Sequence, residues 1–509
     1  MKGFLLYADH GVDWEEKIAP ESVQTVHDLN LDVLCEAMAQ GDNLLYLAAE
    51  RMLLHAELTV NEVQFRQAVL QDCLNHAPFV AELYVLVKKA IEDREAAHVG
   101  MFARHRESML HEYVPVLEIL FDHLQHLRDF VLQPSHQFQS EGFRGLVQTL
   151  KHELDDPYLT KVRQHLVALR FKRGMVFSAT LGRGHQGQHY RAHPVSAEVI
   201  HKPRWRLEWF QKRPISGDTT LSVVISELDE NGQAALVELK DRGLSALTKV
   251  VIRALDQVVA FLKRLQMELA FYLACIHLSE RLHQIGGAWV FPAVASTEEG
   301  VRQFLGVYDL CLALQTQAPV VASDLDANGK NLIIITGANQ GGKSTFLRSL
   351  GLCQLMLNAG MFVPASNARA SLTSGVYTHF GRPEDRTMER GKLDEELKRC
   401  RDLVQRLKPY GLVLFNEAFS STNEREGAEI ARQVTQALIE SHIQVAMVTH
   451  LYAFARPWCE QNDPRVLCLR AGRLDDGTRT FEMTVGPPAV TSFGGDLLQK
   501  MKMAQRERG

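Results

Sequence analysis

The chain has 509 residues, of which 46% are hydrophobic and 23% charged, and a formal net charge of −5. Single hydrophobic cores stop growing at roughly 250 to 300 residues, so this length predicts two to four domains. The composition is ordinary for a globular protein and excludes a largely disordered or membrane-embedded chain. The overall charge neither indicates nor excludes a nucleic-acid partner, which must be argued from local clusters.

The start of the sequence and the cysteines predict a cytoplasmic protein with no membrane partner. Residues 1–10 contain a short apolar run and an early acid, unlike a signal peptide, and no later stretch offers about 18 uncharged apolar residues. The eight cysteines include no C-x-x-C pair. Their scatter argues against a zinc site or a disulfide framework and predicts reduced, mostly buried thiols.

The first part of the chain is predicted to be helical. Residues 28–130 are rich in Leu, Ala, Glu and Arg, contain almost no Gly, and place apolar residues three and four positions apart. Residues 131–142 lack any period and are expected to connect two units. Helix is predicted to resume over 143–169.

An inserted β element is predicted next, over about 172–240. Short runs punctuated by glycine are typical of strands, and the pair Asn231-Gly232 is typical of a hairpin turn. Strands are predicted at 175–181, 221–226 and 234–239.

The longest helical pattern covers residues 244–285 and would span roughly 60 Å at 1.5 Å per residue. Two interpretations fit this pattern. The helix can be a lever that connects two distant sites, or a bundle helix that bends or breaks.

Beyond residue 292, predicted strands and helices alternate. Such alternation implies a parallel sheet with helices on both faces. The strands are predicted at 332–335, 412–415 and 445–448, and the helices at 343–360 and 427–441.

A phosphate-binding loop is predicted between the first strand and the first helix of this alternation. Residues 337–344 read G-x-x-x-x-G-K-S, and this position aims backbone N–H groups and the positive end of the helix at phosphate. Lys343 is expected to neutralise the β- and γ-phosphates, and the Ser344 hydroxyl to hold Mg²⁺. The sequence therefore predicts ATP and Mg²⁺ as ligands. The predicted ATP-binding residues are Gly337, Ala338, Asn339, Gln340, Gly341, Gly342, Lys343, Ser344 and Thr345.

A second nucleotide motif is predicted at Asn416-Glu417, where the strand 412–415 ends. Glu417 is placed to polarise the attacking water. Asn416 brings a neutral amide to a position where P-loop enzymes usually carry a carboxylate that steadies the metal, so slower turnover or weaker Mg²⁺ binding is expected. The predicted metal-binding residues are Ser344, Asn416 and Glu417.

His450 follows the strand that precedes Thr449 and is expected at the nucleotide edge of the sheet. It can sense the γ-phosphate there, or it can be a structural histidine. In the first interpretation the catalytic residues are Glu417, Lys343 and His450.

Three stretches resemble the ATPase domain of the MutS family. Residues 336–348, TGANQGGKSTFLR, are similar to the family's T-G-P-N-M-x-G-K-S-T-x-L-R. Residues 360–365, GMFVPA, are similar to its G-x-F-V-P-A, a phrase that general P-loop enzymes lack. Residues 417–423, EAFSSTN, together with Thr449-His450, look like its Walker B segment, composite-site loop and switch histidine.

The resemblance implies a multidomain fold, part helical and part α/β. A helical core is expected over 1–142, lever helices with a clamp-like β insert over 143–300, and a MutS-type P-loop ATPase domain over 301–509. The resemblance also implies a homodimer whose two ATPase sites are completed across the interface. The nucleotide state of the ATPase sites would be transmitted along the lever helices to DNA held near the clamp-like elements.

Four departures from the family pattern limit these expectations. Asn416 replaces the usual Asp, and Gly-Lys-Leu at 391–393 stands about where the family has a Ser-Thr-Phe phrase that acts in the partner's site. The chain ends soon after Ser-Phe-Gly at 492–494. The helical core begins near residue 28, which leaves no room for the mismatch-reading domain. Mismatch recognition is therefore not assumed, and branched or otherwise distorted DNA is an alternative ligand.

A basic segment at 170–213 supports DNA as a partner. It contains ten Arg and Lys against two Glu, with Trp, Tyr and Phe among them. Basic side chains on phosphate and rings on bases are typical of nucleic-acid contact, but a solvated basic face over a small aromatic core has the same composition. The predicted DNA-binding residues are Lys202, Arg204, Arg206, Lys212 and Arg213.

The preferred function is a DNA-binding repair ATPase, in which ATP closes the dimer, hydrolysis through Glu417 opens it, and repair proteins are further partners. The alternative is a nucleotide-switched scaffold with little hydrolysis, in which Asn416 keeps ATP bound while protein partners are recruited. An ATP-driven transporter subunit is disfavoured by the long helical N-terminal half and the absence of an LSGGQ-like phrase.

Overall fold

A computed structural model provides the fold of the chain. Residues 82–135 and 147–266 make one compact unit, and residues 2–81, 136–146 and 267–509 make a second. No helix within the described stretches is long and apolar enough to cross a membrane. The three predicted segments and the cytoplasmic location stay predictions. The structure describes residues 3–14, 22–55, 58–97, 105–133, 138–172, 174–181, 187–194, 229–381 and 391–489.

Helices fill the described part of residues 22–169, which agrees with the predicted helical stretches 28–130 and 143–169, although the first helix begins at residue 22 and the connector between the stretches ends at 140. The helices are α1 (Ser22–Leu29), α2 (Leu31–Ala39), α3 (Asn43–Leu54), α4 (Val60–Asn75), α5 (Ala77–Ala96), α6 (Arg106–Val131), α7 (Glu141–Glu153) and α8 (Asp156–Leu169). Side-chain caps fix where several begin. The Asp42 carboxylate accepts from the N–H of Leu44 before α3, and Thr59 and Glu62 form a reciprocal capping box before α4.

Two strands of the first unit, β1 (Met175–Leu181) and β2 (Gly187–Pro194), pair antiparallel. The first was predicted and the second was not. The strand predicted at 221–226 lies outside the described residues.

A single helix of 56 residues, α9 (Glu230–Ile285), follows and supplies residues to both units. It contains residues 234–239 and Asn231-Gly232, so the strand and hairpin turn predicted there are wrong. The Asp229 carboxylate accepts a hydrogen bond from the N–H of Gly232 at 2.9 Å, as helix N-caps do. The Ala, Leu and Glu residues that follow are strong helix formers. The lever role of α9 stays a prediction.

Two sheets lie in the second unit. Their strands are β3 (Ala293–Ala295), β4 (Arg302–Val307), β5 (Ser323–Asp326), β6 (Leu332–Thr336), β7 (Asn367–Ser371), β8 (Val376–Phe380), β9 (Leu412–Asn416), β10 (Gln444–Val448), β11 (Val466–Arg473) and β12 (Arg479–Val485). The larger sheet has the order β12-β11-β6-β10-β9-β8, parallel except for the antiparallel edge strand β12. The smaller has the order β3-β7-β4-β5 and is mixed.

The larger sheet confirms the predicted strands and their parallel arrangement. Every residue of β6 and β10 is buried, as expected of parallel strands covered on both faces. Helix α11 contacts β8, β9 and β10, and α13 contacts β10. The helices of this region are α10 (Leu310–Thr316), α11 (Lys343–Asn358), α12 (Lys392–Val404), α13 (Glu424–Glu440) and α14 (Tyr452–Glu460).

The prediction that all cysteines are reduced thiols is wrong for one pair. Cys459 at the end of α14 and Cys468 in β11 form a disulfide, with Cα atoms 6.0 Å apart. The chain turns from α14 into β11 within a few residues, which brings the two side chains together without any C-x-x-C spacing. The other six cysteines are free and buried, as predicted.

Candidate nucleotide site

The loop at 337–342 connects the end of β6 to the start of α11. Gly337 has φ of +120°, and a Cβ there would lie 2.9 Å from the backbone nitrogen of Ala471 in β11. Gly342 has φ of +85° and is the N-cap of α11, where no side chain caps the helix. The first N–H groups of α11 are therefore left for a ligand, which is the arrangement that binds phosphate.

Lys343 crosses this loop from the first turn of α11. Its Nζ donates to the carbonyl oxygens of Gly337 at 3.1 Å and Ala338 at 2.9 Å, and the residue is 5% exposed. Burial lowers the pKa of Lys343, the Glu417 carboxylate opposes this, and the Arg479 guanidinium adds to it. The ammonium is thus held inside the loop, in position to meet an anion.

The residues predicted to bind metal meet at the junction of α11 and β9. The Ser344 hydroxyl donates to Oδ1 of Asn416 at 2.9 Å, and Glu417 is the next residue along the chain. A hydroxyl, an amide oxygen and a carboxylate are oxygen donors of the kind Mg²⁺ takes. The donor set therefore fits Mg²⁺ chemically.

Glu417 and His450 are paired. Nε2 of His450 lies 3.0 Å from Oε1 of Glu417, although the residues are 33 positions apart. The hydrogen bond from His450 lowers the pKa of Glu417, burial opposes the shift, and the charges of His450 and Lys343 reinforce it. Glu417 is accordingly a carboxylate at neutral pH, as a base for water must be.

The β11–β12 hairpin contributes two residues that the sequence patterns did not indicate. Nε of Arg479 donates to the Asn339 carbonyl at 3.4 Å. Phe481, at φ of +64° and 48% exposed, lies against Gly342. Neither belongs to a motif, because strand pairing rather than sequence spacing brings the hairpin to the loop.

The remaining predicted residues either begin α12 or lie outside the described part of the chain. Gly391 is the N-cap of α12, and residues 392 and 393 begin that helix. Residues 492–494 lie outside the described part of the chain. The same holds for all five predicted DNA-binding residues, Lys202, Arg204, Arg206, Lys212 and Arg213.

Comparison with known proteins gives two family matches. Residues 58–285 match the MutS2 N-terminal domain, and residues 333–494 match MutS domain V. The DNA mismatch repair protein MutS of Thermus aquaticus is 31% identical over 183 residues, which are 36% of this chain and 22% of that protein. The endonuclease MutS2 of Thermus thermophilus is 31% identical over 146 residues, 28% of this chain and 20% of that protein.

The DNA mismatch repair protein MutS of Porphyromonas gingivalis is 31% identical over 144 residues, 27% of this chain. The matched segments cover between 16% and 24% of the length of these three and of the related MutS of Syntrophomonas wolfei.

Proposed function

The chain belongs to the MutS family, and we propose that it is an ATP-dependent DNA-binding protein of DNA repair. ATP binding and hydrolysis would be coupled to closure of a homodimer on mismatched, branched or otherwise distorted DNA. The basic segment 170–213 would contact that DNA, with repair proteins as further partners.

One observation carries the proposal. Residues from two strand ends and from the first turn of α11 meet beside the loop at 337–342: Ser344 bonds Asn416, and Glu417 bonds His450. These contacts join the first turn of α11 to the ends of β9 and β10. The carboxyl edge of a parallel sheet is where such folds bind nucleotides. The match to MutS domain V over 333–494 supports the same assignment.

The roles of the side chains follow from their positions. Lys343 and the N–H groups of α11 would neutralise the phosphates of ATP. Ser344, Asn416 and Glu417 would hold Mg²⁺, which when bound screens phosphate charge. The Glu417 carboxylate, kept ionised by its hydrogen bond with His450, would take a proton from the attacking water.

Steady-state ATP turnover tests the proposal. We would measure it without DNA, with duplex, with a mismatched duplex and with a branched junction. Stimulation of kcat by one DNA is expected, and a Glu417→Gln protein should show no turnover above background. Equal rates under all four conditions would remove DNA coupling from the proposal.

A nucleotide-switched scaffold is a second candidate, and the Ser344–Asn416 contact favours it. A neutral amide holds the Mg²⁺ position less strongly than a carboxylate, so hydrolysis could be slow enough for ATP to stay bound. Asn416→Asp would then raise turnover sharply while DNA left both proteins unaffected. Asn462→Asp, an exposed change far along the chain from the motif, is the matched control.

A further inference from the structure

A carboxylate lies buried on a face of α12 that is otherwise apolar. Glu396 shares this face with Cys400 and Leu403, which belong to the same hydrophobic core as Phe415 and Phe419. Its side chain is only 6% exposed. Burying a carboxylate is unfavourable unless it gains hydrogen bonds, so the partners of Glu396 indicate what it does.

Those partners belong to the loop that follows Glu417. Oε1 of Glu396 accepts the backbone N–H of Phe419 at 2.7 Å, and Oε2 accepts the Ser421 hydroxyl at 2.7 Å. His379 in β8 is 1% exposed, and its Nε2 lies 3.7 Å from Oε1. One carboxylate thus joins α12 and β8 to residues 419 and 421.

The backbone of this loop needs such anchors. Glu417 and Phe419 have φ of +55° and +61°, a left-handed conformation that residues other than glycine adopt only under constraint. The N–H of Glu417 donates to the Val448 carbonyl at 2.9 Å, and its carbonyl accepts the Ser420 hydroxyl at 2.8 Å. Glu396, on helix α12, adds a further hydrogen bond two residues along the loop, at Phe419.

We infer that Glu396 is a positioning residue for ATP hydrolysis. It fixes residues 417–421 so that the Glu417 carboxylate stays beside His450 and Lys343. This inference rests on the proposed ATPase function. The hydrogen bonds of Glu396 go to residues 419 and 421 and not to the loop at 337–342, so its loss should alter the chemical step and leave ATP binding at that loop in place.

The test separates kcat from KM for ATP in a set of variants. Glu396→Ala should lower kcat between about 10- and 100-fold with KM nearly unchanged, because misplacing a catalytic group by about 1 Å costs this much. Glu396→Gln keeps an acceptor for the Phe419 N–H and should recover part of kcat. Ser421→Ala removes one of the hydrogen bonds to the carboxylate but keeps the carboxylate and its bond to the Phe419 N–H, and it should lower kcat less. Glu395→Ala, the neighbouring carboxylate on α12, is the control and should match wild type.

Hydrogen exchange of residues 415–423 gives a second readout. The Phe419 amide should exchange faster in Glu396→Ala than in wild type or Glu395→Ala. A wild-type protein without ATP turnover would overturn the proposed function. A wild-type protein with turnover, together with unchanged kcat in folded Glu396→Ala and Ser421→Ala, would overturn the positioning role alone.

Discussion

At the scale of a single residue, Lys343 would provide the positive charge on which the proposed binding of ATP depends. Its ammonium donates to two carbonyl oxygens of the loop at 337–342, which fix its orientation. A charged hydrogen bond contributes about 1.5 to 3 kcal/mol, so Lys343→Ala should weaken ATP binding by about 10- to 100-fold. Isothermal titration calorimetry measures this, with Lys398→Ala, exposed on α12, as control. Equal affinity in both variants would remove Lys343 from the site.

The lowered pKa of Glu396 predicts how the free energy of unfolding changes with pH. Burial raises its pKa, but the neighbouring His379 and the hydrogen bonds from Phe419 and Ser421 outweigh burial, so the pKa in the folded protein is lowered from 4.5. A lowered pKa means that this stabilisation is complete above pH 4.5 and is lost as the pH falls through the folded value. Urea unfolding of wild type and Glu396→Gln at several pH values measures the difference.

At neutral pH wild type should be more stable than Glu396→Gln by about 1 to 3 kcal/mol. As the pH falls below 4.5, the free energies of unfolding of wild type and Glu396→Gln should converge. A difference that grows toward low pH would mean that the charged form of Glu396 does not stabilise the fold.

Sequence patterns located some residues of the site and missed others for a physical reason. The loop at 337–344 could be predicted because the residues of its G-x-x-x-x-G-K-S pattern are consecutive in the sequence. Glu417 and His450 were found because each follows a recognisable buried strand. The sequence did not indicate Glu396, because a carboxylate in a helix ordinarily faces water. Its hydrogen-bond partners also lie on a loop more than 20 residues away in the sequence.

At the scale of elements, the start of α13 sets the position of the loop that carries Glu417. Gly427 is buried in the first turns of α13, and a Cβ there would lie 2.3 Å from the Phe419 carbonyl oxygen. Gly427→Ala should therefore displace the loop, lowering ATP turnover and costing about 1 to 3 kcal/mol of stability.

Gly145→Ala is the matched control, because a Cβ at Gly145 in α7 meets no atom within 4 Å. It should raise the free energy of unfolding by about 0.5 to 1 kcal/mol, because alanine lowers the conformational entropy of the unfolded chain. Thermal unfolding and ATP turnover of both variants test the pair. Equal effects of the two substitutions would show that the Gly427 contact is unimportant.

Element prediction was accurate where the pattern fitted one kind of element and failed where a short pattern fitted two. Helix α8 ends at Leu169 and β1 covers 175–181, both as predicted. The Asn231-Gly232 pair predicts a hairpin turn because that pair favours positive φ. In α9 the side chain of Asp229 instead caps the helix there, and the residues beyond favour helix.

At the scale of the whole molecule, the alternation of strands and helices predicted a parallel sheet but not its strand order. The order depends on which crossovers pass over which strands, and local sequence does not encode this. The edge strand β12 and the four-stranded sheet were therefore not predicted. The placement of Arg479 beside the loop depends on β12, so part of the site depends on topology.

At the scale of the whole molecule, the net charge gives no indication of the proposed DNA contact. The chain carries −5 overall, yet residues 170–213 are strongly basic. Lysines and arginines that bind phosphate release counterions, so the affinity for DNA should fall steeply as salt is raised. Each lost phosphate contact should reduce the slope of log affinity against log salt by about 0.9.

Arg204→Ala combined with Arg206→Ala should therefore weaken DNA binding and reduce that slope by about 1.8. Fluorescence anisotropy with labelled duplex and branched junction between about 50 and 200 mM salt measures both quantities. The control combines Arg432→Ala with Arg456→Ala, which removes the same charge from exposed positions on α13 and α14. If both double variants lose affinity equally, net charge rather than the basic segment governs DNA binding. A loss of affinity only in the Arg204→Ala and Arg206→Ala double variant would assign the DNA contact to the basic segment 170–213.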